Sequence, residues 1–321
     1  MGRFCLVPRV SRLAAIDLGT NTVRLLVVET RGAGRWRTLA QDQLITRLGE
    51  GAAASGLLGD TPIERTVATV AAFCRQAEAL GASEVMIVAT SAVREAVNRQ
   101  ALLDRVRAAS GHEVRVVTGE EEARLALLGA LSEIRESSGE VLLVDIGGGS
   151  TEFTLARERR VVAALSIRLG VVPLAERYMT QGPVDWARYG EMDREVRAEL
   201  APALSRVLPE HRPDLFIGTA GTVTTLAALD QALSQYDPER VQGYRLHRHR
   251  IEKLLAALGA LPVAARAALP CLDPGRADLI IPGISICLAA MDCCGFDSLL
   301  VSEYALREGI LIDYLGRSAA S

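Results

Sequence analysis

Lysine is almost missing from this 321-residue chain, where Lys253 is the one lysine among 36 basic residues. A Walker A loop needs a lysine directly after its glycines, and Lys253 stands in Ile251-Glu252-Lys253-Leu254, so that class of phosphate loop is excluded. The six cysteines (Cys5, Cys74, Cys271, Cys287, Cys293 and Cys294) form no Cys-x-x-Cys pair, and most lie in apolar surroundings, as free buried thiols do in a reducing compartment. Of the four histidines, His247 and His249 alternate with arginines ahead of an amphipathic stretch, which reads as a solvated helix start rather than a metal site. No Gly-x-Ser-x-Gly occurs, so a serine-hydrolase reading has no support. Long apolar runs are lacking too: Leu279 to Met291 contains Pro282 and Gly283 and is too short to span a bilayer. Arg3, Arg9 and Arg12 interrupt the N-terminal apolar stretch, against a secretory signal, and a cytoplasmic location is expected. A net charge of −3 gives no general reason to expect nucleic acid or an anionic membrane surface, so an anionic ligand would have to be held by local features.

What is present is enough apolar material, 49% of the chain, for two ordinary cores, and an internal repeat. The stretches Ala14-Ala15-Ile16-Asp17-Leu18-Gly19-Thr20-Asn21-Thr22-Val23-Arg24-Leu25 and Leu142-Leu143-Val144-Asp145-Ile146-Gly147-Gly148-Gly149-Ser150-Thr151-Glu152-Phe153 share one grammar. Each is an apolar strand ending in aspartate, a turn of small residues, and a second strand (Val23 to Glu29, and Thr151 to Ala156). Aligned at the aspartates, Gly19 falls on Gly147 and Arg24 on Glu152. After the first copy the pattern predicts a helix near Thr61 to Leu80, a strand Val85 to Ala89, a helix Ala92 to Ala109 and a strand Val114 to Val117. After the second it predicts a strand near Val161 to Ile167, a helix around Trp186 to Val207, a strand Leu215 to Ile217 and a helix from Thr222. Two such copies imply two similar α/β domains, joined by a tight hinge near Gly119 or Ser137-Ser138-Gly139.

Small residues after a strand let backbone N–H groups converge on an anion. Gly19-Thr20-Asn21 and Gly147-Gly148-Gly149-Ser150 suit that task; either alone also reads as a hairpin turn, and their repetition behind an aspartate is the stronger signal. Facing each other, they would hold a phosphate chain between the domains. Asp17 and Asp145 end buried strands, where a carboxylate needs donors or a cation: either N–H groups of its own turn or Mg²⁺, which Glu152 could also reach. Thr118 followed by Glu121 is a capping box, with Glu121 folding back on the N-cap amide; this leaves Glu122 free, although three glutamates are also simply a good helix start. Ser91 as N-cap would put Arg94 in a first helical turn, where it needs an anion: Glu95, Glu122 or a bound phosphate. Gly218-Thr219-Ala220-Gly221-Thr222 is a third loop beside the ligand or a plain strand-to-helix turn.

These residues together resemble the exopolyphosphatase and guanosine pentaphosphate phosphohydrolase family. The resemblance is carried by Ile16 to Leu25, Ala89 to Ala96, Gly119 to Arg124, Asp145 to Glu152, Gly218 to Thr225, Arg276-Ala277-Asp278 and Leu306-Arg307-Glu308-Gly309. It implies an α/β fold of two actin-like (ribonuclease H-like) domains within the sugar kinase/Hsp70/actin superfamily, with the active site in the cleft between them. The first domain would cover 1–119 and about 303–321, the second 120–302. It implies hydrolysis of a phosphoanhydride with Mg²⁺ or another divalent cation held by Asp145 and Glu152, and a catalytic glutamate at Glu122 or Glu121. Asp17, Gly19, Thr20, Asn21, Arg24, Gly147, Gly148, Gly149, Ser150, Gly221, Thr222 and Arg276 would bind substrate, and Arg94 would contact it. The implied partners are inorganic polyphosphate or pppGpp, ppGpp as ligand or inhibitor, and a second copy in a homodimer. Thr20 and Thr22 stand where the family often has serine, and Tyr304-Ala305 where many members have a glycine. The sequence ends at Ser321, where long members continue into helical C-terminal domains, so the resemblance is to the short form. Competing readings are an actin-like kinase, which requires an acceptor, and a non-catalytic sensor, which has no need of Glu122.

Overall fold

The computed structural model describes residues 11–31, 35–134 and 139–320; Cys5, the arginines before Arg12 and the expected hinge residues Ser137-Ser138 lie outside them. Strands β1 (Arg12–Leu18), β2 (Thr22–Thr30), β3 (Trp36–Ile45), β4 (Glu84–Ala89) and β5 (Val114–Val116) form a sheet of order β3-β2-β1-β4-β5. Strands β6 (Glu140–Ile146), β7 (Thr151–Arg157), β8 (Arg160–Ile167), β9 (Leu215–Thr219), β10 (Arg245–His247) and β11 (Ser298–Val301) form a second, of order β10-β11-β9-β6-β7-β8. The orders superpose: β3-β2-β1-β4-β5 matches β8-β7-β6-β9-β11. In each copy the aspartate-bearing strand pairs antiparallel with the next strand and parallel with the one after the crossover. Register preserves the alignment made on sequence, with Asp17 opposite Arg24 and Asp145 opposite Glu152.

The central strands are continuous apolar runs because helices cover both faces of each sheet. On the first sheet, Ile16, Leu18 and Leu25 pack with Ile63, Val70 and Phe73 of helix Asp60–Ala79. Its other face packs Leu13, Ala15 and Leu26 against Leu306, Ile310 and Leu311 of helix Leu306–Ala320 and against Leu125. Leu125 belongs to helix Gly119–Glu133, whose Ala126, Leu127, Ala130 and Leu131 pack instead on Val141 and Leu143 of the second sheet. That helix therefore serves both cores. It crosses the C-terminal helix so closely that a Cβ on Gly309 would lie 1.8 Å from the Leu125 carbonyl oxygen. The apolar run near residue 280 is helix Ile280–Cys294, buried in the second core. Among the described residues no helix is long and apolar enough to cross a membrane.

One expectation needs correction, and one strand went unread. The helix read over Ala92 to Ala109 is two pieces, Ser91–Glu95 and Arg99–Ser110. The break is imposed by a distant loop: Asn98 accepts from the Leu58 amide at 2.9 Å and donates to its carbonyl at 2.8 Å, and the Val97 amide donates to Gly56. Strand β3 escaped the periodicity reading because it is an edge strand whose side chains are mostly polar and solvent-facing.

Candidate active site

The two small-residue turns fold alike. The Gly19 amide donates to the Thr22 carbonyl at 3.1 Å, and the Gly147 amide to the Ser150 carbonyl at 2.9 Å. They also face each other. A Cβ on Gly148 would lie 3.0 Å from Thr20 Cβ and 3.2 Å from the Asn21 nitrogen; one on Gly149 would lie 2.7 Å from Thr20 Oγ1 and 2.8 Å from Ser91 Oγ. Glycine at 148 and 149 is what lets the second turn come this close to the first.

Between them lies a cavity of about 100 Å³. Asp17, Gly19, Thr20, Asn21 and Arg24 line it from the first half, and Asp145, Gly147, Gly148, Gly149, Ser150, Gly221, Thr222 and Arg276 from the second. Glu122 reaches the same space from helix Gly119–Glu133. The third loop thus joins the other two, with Ala220 held at φ +68°, a left-handed conformation uncommon for a residue with a Cβ. Arg276 lies on that loop: a Cβ on Gly221 would come within 2.5 Å of its Nη1.

Three expected residues sit elsewhere. Arg94 stands behind Glu122, its Nη1 donating to Glu122 Oε2 at 2.7 Å and to the Val117 carbonyl at 3.2 Å, with Glu95 3.4 Å from its Nε. Both candidate carboxylates therefore serve it. Ser91 is not the N-cap; Thr90 is, without a side-chain bond, and the short helix places Arg94 in its last turn, where a cation is favoured. Glu152 lies buried off the cavity, accepting from Ser166 Oγ at 2.7 Å. Glu121 points away. Thr118 Oγ1 does accept from the Glu121 amide at 3.1 Å, but the Glu121 carboxylate accepts from Arg115 at 2.8 Å instead of closing the capping box.

The site is crowded with carboxylates that burial discourages from ionising. Desolvation raises Asp17, against Arg24 and Arg307. It lifts Asp145 to about 6, opposed by Arg24 and reinforced by Asp17. Glu152 is pushed to about 7 by burial and then by Asp145. Glu122 is raised well above the usual range by burial and by Glu152, with the Arg94 hydrogen bond working the other way. Asp17 Oδ1 is buried with no hydrogen-bond partner, and Arg24 is 3.8 Å from the other oxygen. The hard oxygen atoms of these carboxylates are the donor type that a cation such as Mg²⁺ takes. Among the described residues no three carboxylates, histidines or cysteines make a ready-made metal cage, and Mg²⁺ does not need one, since it keeps waters and takes substrate oxygens.

A second cavity of about 740 Å³ opens off the first, sharing Asp17, Arg24, Thr225 and Arg276. Gln41, Gln43, Tyr236 and Glu303 line it, and sequence reading named none of them. Glu303 is lifted to about 7 by burial, partly offset by Arg307 and Arg24, and its carboxylate accepts a hydrogen bond from the Tyr236 hydroxyl. These residues come from strand edges and loops with no local signature. Ser91 did lie inside a recognised motif, where its closeness to Gly149 was hidden by its reading as a cap.

Comparison with known proteins agrees with this geometry. Residues 27–318 match the Ppx/GppA phosphatase family. Exopolyphosphatase 2 of Mycobacterium tuberculosis is 35% identical over 319 residues, spanning 95% of this chain and 99% of that one. Exopolyphosphatase 1 of Mycobacterium bovis is 32% identical over 308 residues, spanning 96% and 89%. The crystal structure of the Aquifex aeolicus Ppx/GppA family member superposes with a TM-score of 0.81 at 31% identity, covering 97% of this chain and all of that one. An exopolyphosphatase from Cytophaga hutchinsonii superposes with a TM-score of 0.89 at 27% identity, covering 96% and 98%. The repeated sheets are thus the two halves of an actin-like α/β fold. With the match running from β2 to the C-terminal helix, and the facing turns built as described, the chain belongs to the Ppx/GppA phosphatase family.

Proposed function

We propose that the cleft hydrolyses the terminal phosphoanhydride of inorganic polyphosphate, releasing orthophosphate. The observation that carries this reading is the pair of facing turns with the Arg94-tethered Glu122 beside them. The turns at residues 19–21 and 147–150 line a space of about 100 Å³, which suits one phosphoryl group. Glu122 orients a water and takes its proton as the water oxygen bonds to the terminal phosphorus. The bridging P–O bond breaks, and the bridging oxygen leaves with the shortened chain. Arg24 and Arg276 face that leaving chain; burial, and then Arg24, lower Arg276 to about 10, which leaves it charged at neutral pH.

Arg94 has a distinct task. It holds one oxygen of Glu122 at 2.7 Å, which fixes the carboxylate and favours its ionised, basic form. Asp145 lines the cavity and would hold a divalent cation such as Mg²⁺, with the unpartnered Asp17 oxygen as a further donor, whereas Glu152, off the cavity and bonded to Ser166, would act on the ion only through its charge. Bound there, the ion neutralises phosphate charge.

A second reading, guanosine pentaphosphate, is favoured by the 740 Å³ cavity, which exceeds the needs of a bare phosphate chain and falls in the range of small-molecule pockets. Phosphate release from long polyphosphate, tripolyphosphate and pppGpp, compared in one assay with Mg²⁺, tests both. Turnover of polyphosphate with pppGpp slow supports the first, the reverse order supports the second, and no release from any of them sinks both.

A further inference from the structure

Arg276-Ala277-Asp278 enters the site through Arg276, while Asp278 has no part in the chemistry above. Its partner is Arg47, on the other side of the cleft. The Arg47 guanidinium donates to both Asp278 oxygens at 3.0 Å each and to the Gly275 carbonyl at 3.2 Å. The backbone of the same residue supports the first phosphate turn: the Thr46 and Arg47 amides both donate to the Asn21 carbonyl, at 3.0 and 2.9 Å, and the Gly49 amide to that of Thr20 at 2.8 Å. Arg47 is held at φ +49°, a left-handed conformation that persists in a non-glycine residue where the surroundings fix it.

The segment it grips carries a substrate-facing arginine. The turn Pro274–Arg276 sits on the end of β3, where a Cβ on Gly275 would lie 2.5 Å from Ile45 Cδ1, and Arg276 Nη2 donates to Gln43 Oε1 at 3.2 Å. One residue therefore ties the backbone of the Thr20-Asn21 turn to the base of Arg276 on the opposite wall.

We propose that Arg47 is a positioning residue which, through Asp278, couples the placement of the first phosphate turn to that of Arg276 across the cleft. The Arg47 side chain is 38% exposed, so the ion pair adds little to stability. Its effect lies in geometry, where a displacement of about 1 Å can cost on the order of a hundredfold in rate. The proposal rests on the reading of the cleft as a phosphoanhydride hydrolase site.

The test uses the full chain with Arg47→Met, Asp278→Asn, the double variant and Arg47→Lys. Each of the first two is expected to lower kcat/KM for polyphosphate about tenfold or more, with KM rising more than kcat falls. The double variant should be no worse than the weaker single, and Arg47→Lys should recover part of the loss. Amide exchange at Thr46, Arg47 and Gly49 should quicken in Asp278→Asn, although that substitution is on the other wall. Losses that multiply in the double variant, unchanged kcat/KM, or unchanged exchange at those amides would overturn it. Should Arg47→Met fail to fold, Asp278→Asn carries the exchange test alone. A wild-type protein that releases no phosphate defeats the hydrolase reading, while the exchange measurement still decides the coupling.

Discussion

Replacing Glu122 with glutamine separates chemistry from folding. The side chain keeps its shape, and its amide oxygen can still accept from Arg94 Nη1, now 2.7 Å from Oε2, but it cannot take a proton from water. Loss of a general base lowers turnover by about 10²–10⁴-fold. Stability should move the other way. Burial and the facing Glu152 raise the Glu122 carboxyl, so the folded state holds this proton at pH values where the unfolded chain has released it. Ionising it therefore costs stability above the ordinary glutamate range, a cost absent at low pH and present at pH 8. Glutamine removes that cost, and Arg94 retains Glu95 at 3.4 Å and the Val117 carbonyl. The assay is phosphate release from polyphosphate at saturating substrate, with Tm measured at pH 5 and pH 8. The expected result is a turnover loss of at least about a hundredfold with KM little changed, and a Tm at pH 8 equal to or above wild type. Glu121→Gln, whose parent carboxylate pairs with Arg115 outside the cavity, should stay within about twofold of wild type, as surface changes usually do. Turnover within about threefold of wild type for Glu122→Gln, or a loss that merely follows a fallen Tm, would refute the assignment.

Three further outcomes follow from the same structure. Gly149→Val places branched atoms where even a Cβ would meet Thr20 Oγ1 at 2.7 Å and Ser91 Oγ at 2.8 Å, so it should hold the turns apart and raise KM about tenfold or more with a near-normal unfolding midpoint; unchanged KM would deny that the two turns grip one phosphoryl group. Gly309→Ala drives a Cβ to 1.8 Å from the Leu125 carbonyl oxygen and should lower stability by about 1–3 kcal/mol in urea unfolding; no loss would mean the helices part freely there. Glu303, lifted to about 7 from 4.5, weakens the fold as pH rises from about 4.5 to 7, because the unfolded chain releases this proton first. Glu303→Gln should therefore gain on wild type across that window, by at most on the order of 3 kcal/mol, and a gain confined to below pH 4.5 would contradict the assignment.

The sequence disclosed what local chemistry determines. Asp17 and Asp145, their small-residue turns and the following strands repeat within single segments, so the duplicated topology and the facing glycines were legible before any coordinates. The capping box that set Glu122 apart from Glu121 forms only in part: Thr118 caps the helix, but the Glu121 carboxylate turns to Arg115 instead of folding back on the N-cap amide. What stayed hidden depends on partners far along the chain. Asn98 breaks a helix by bonding Leu58, 40 residues away, which moved Arg94 from an expected first turn to a last one. Arg47 meets Asp278 across 231 residues, and Glu303 gains its raised carboxyl only through burial in the assembled cleft. Edge strand β3 has too few inward apolar residues to show a period, yet its end seats the turn that carries Arg276.

In the proposed reaction water, delivered between the two turns, attacks a terminal phosphorus. Tripolyphosphate turned over in ¹⁸O-labelled water reads it directly. One labelled oxygen is expected in each orthophosphate released and none in the pyrophosphate left behind. Label in the pyrophosphate, or release that waits for a phosphate-accepting co-substrate, would contradict it.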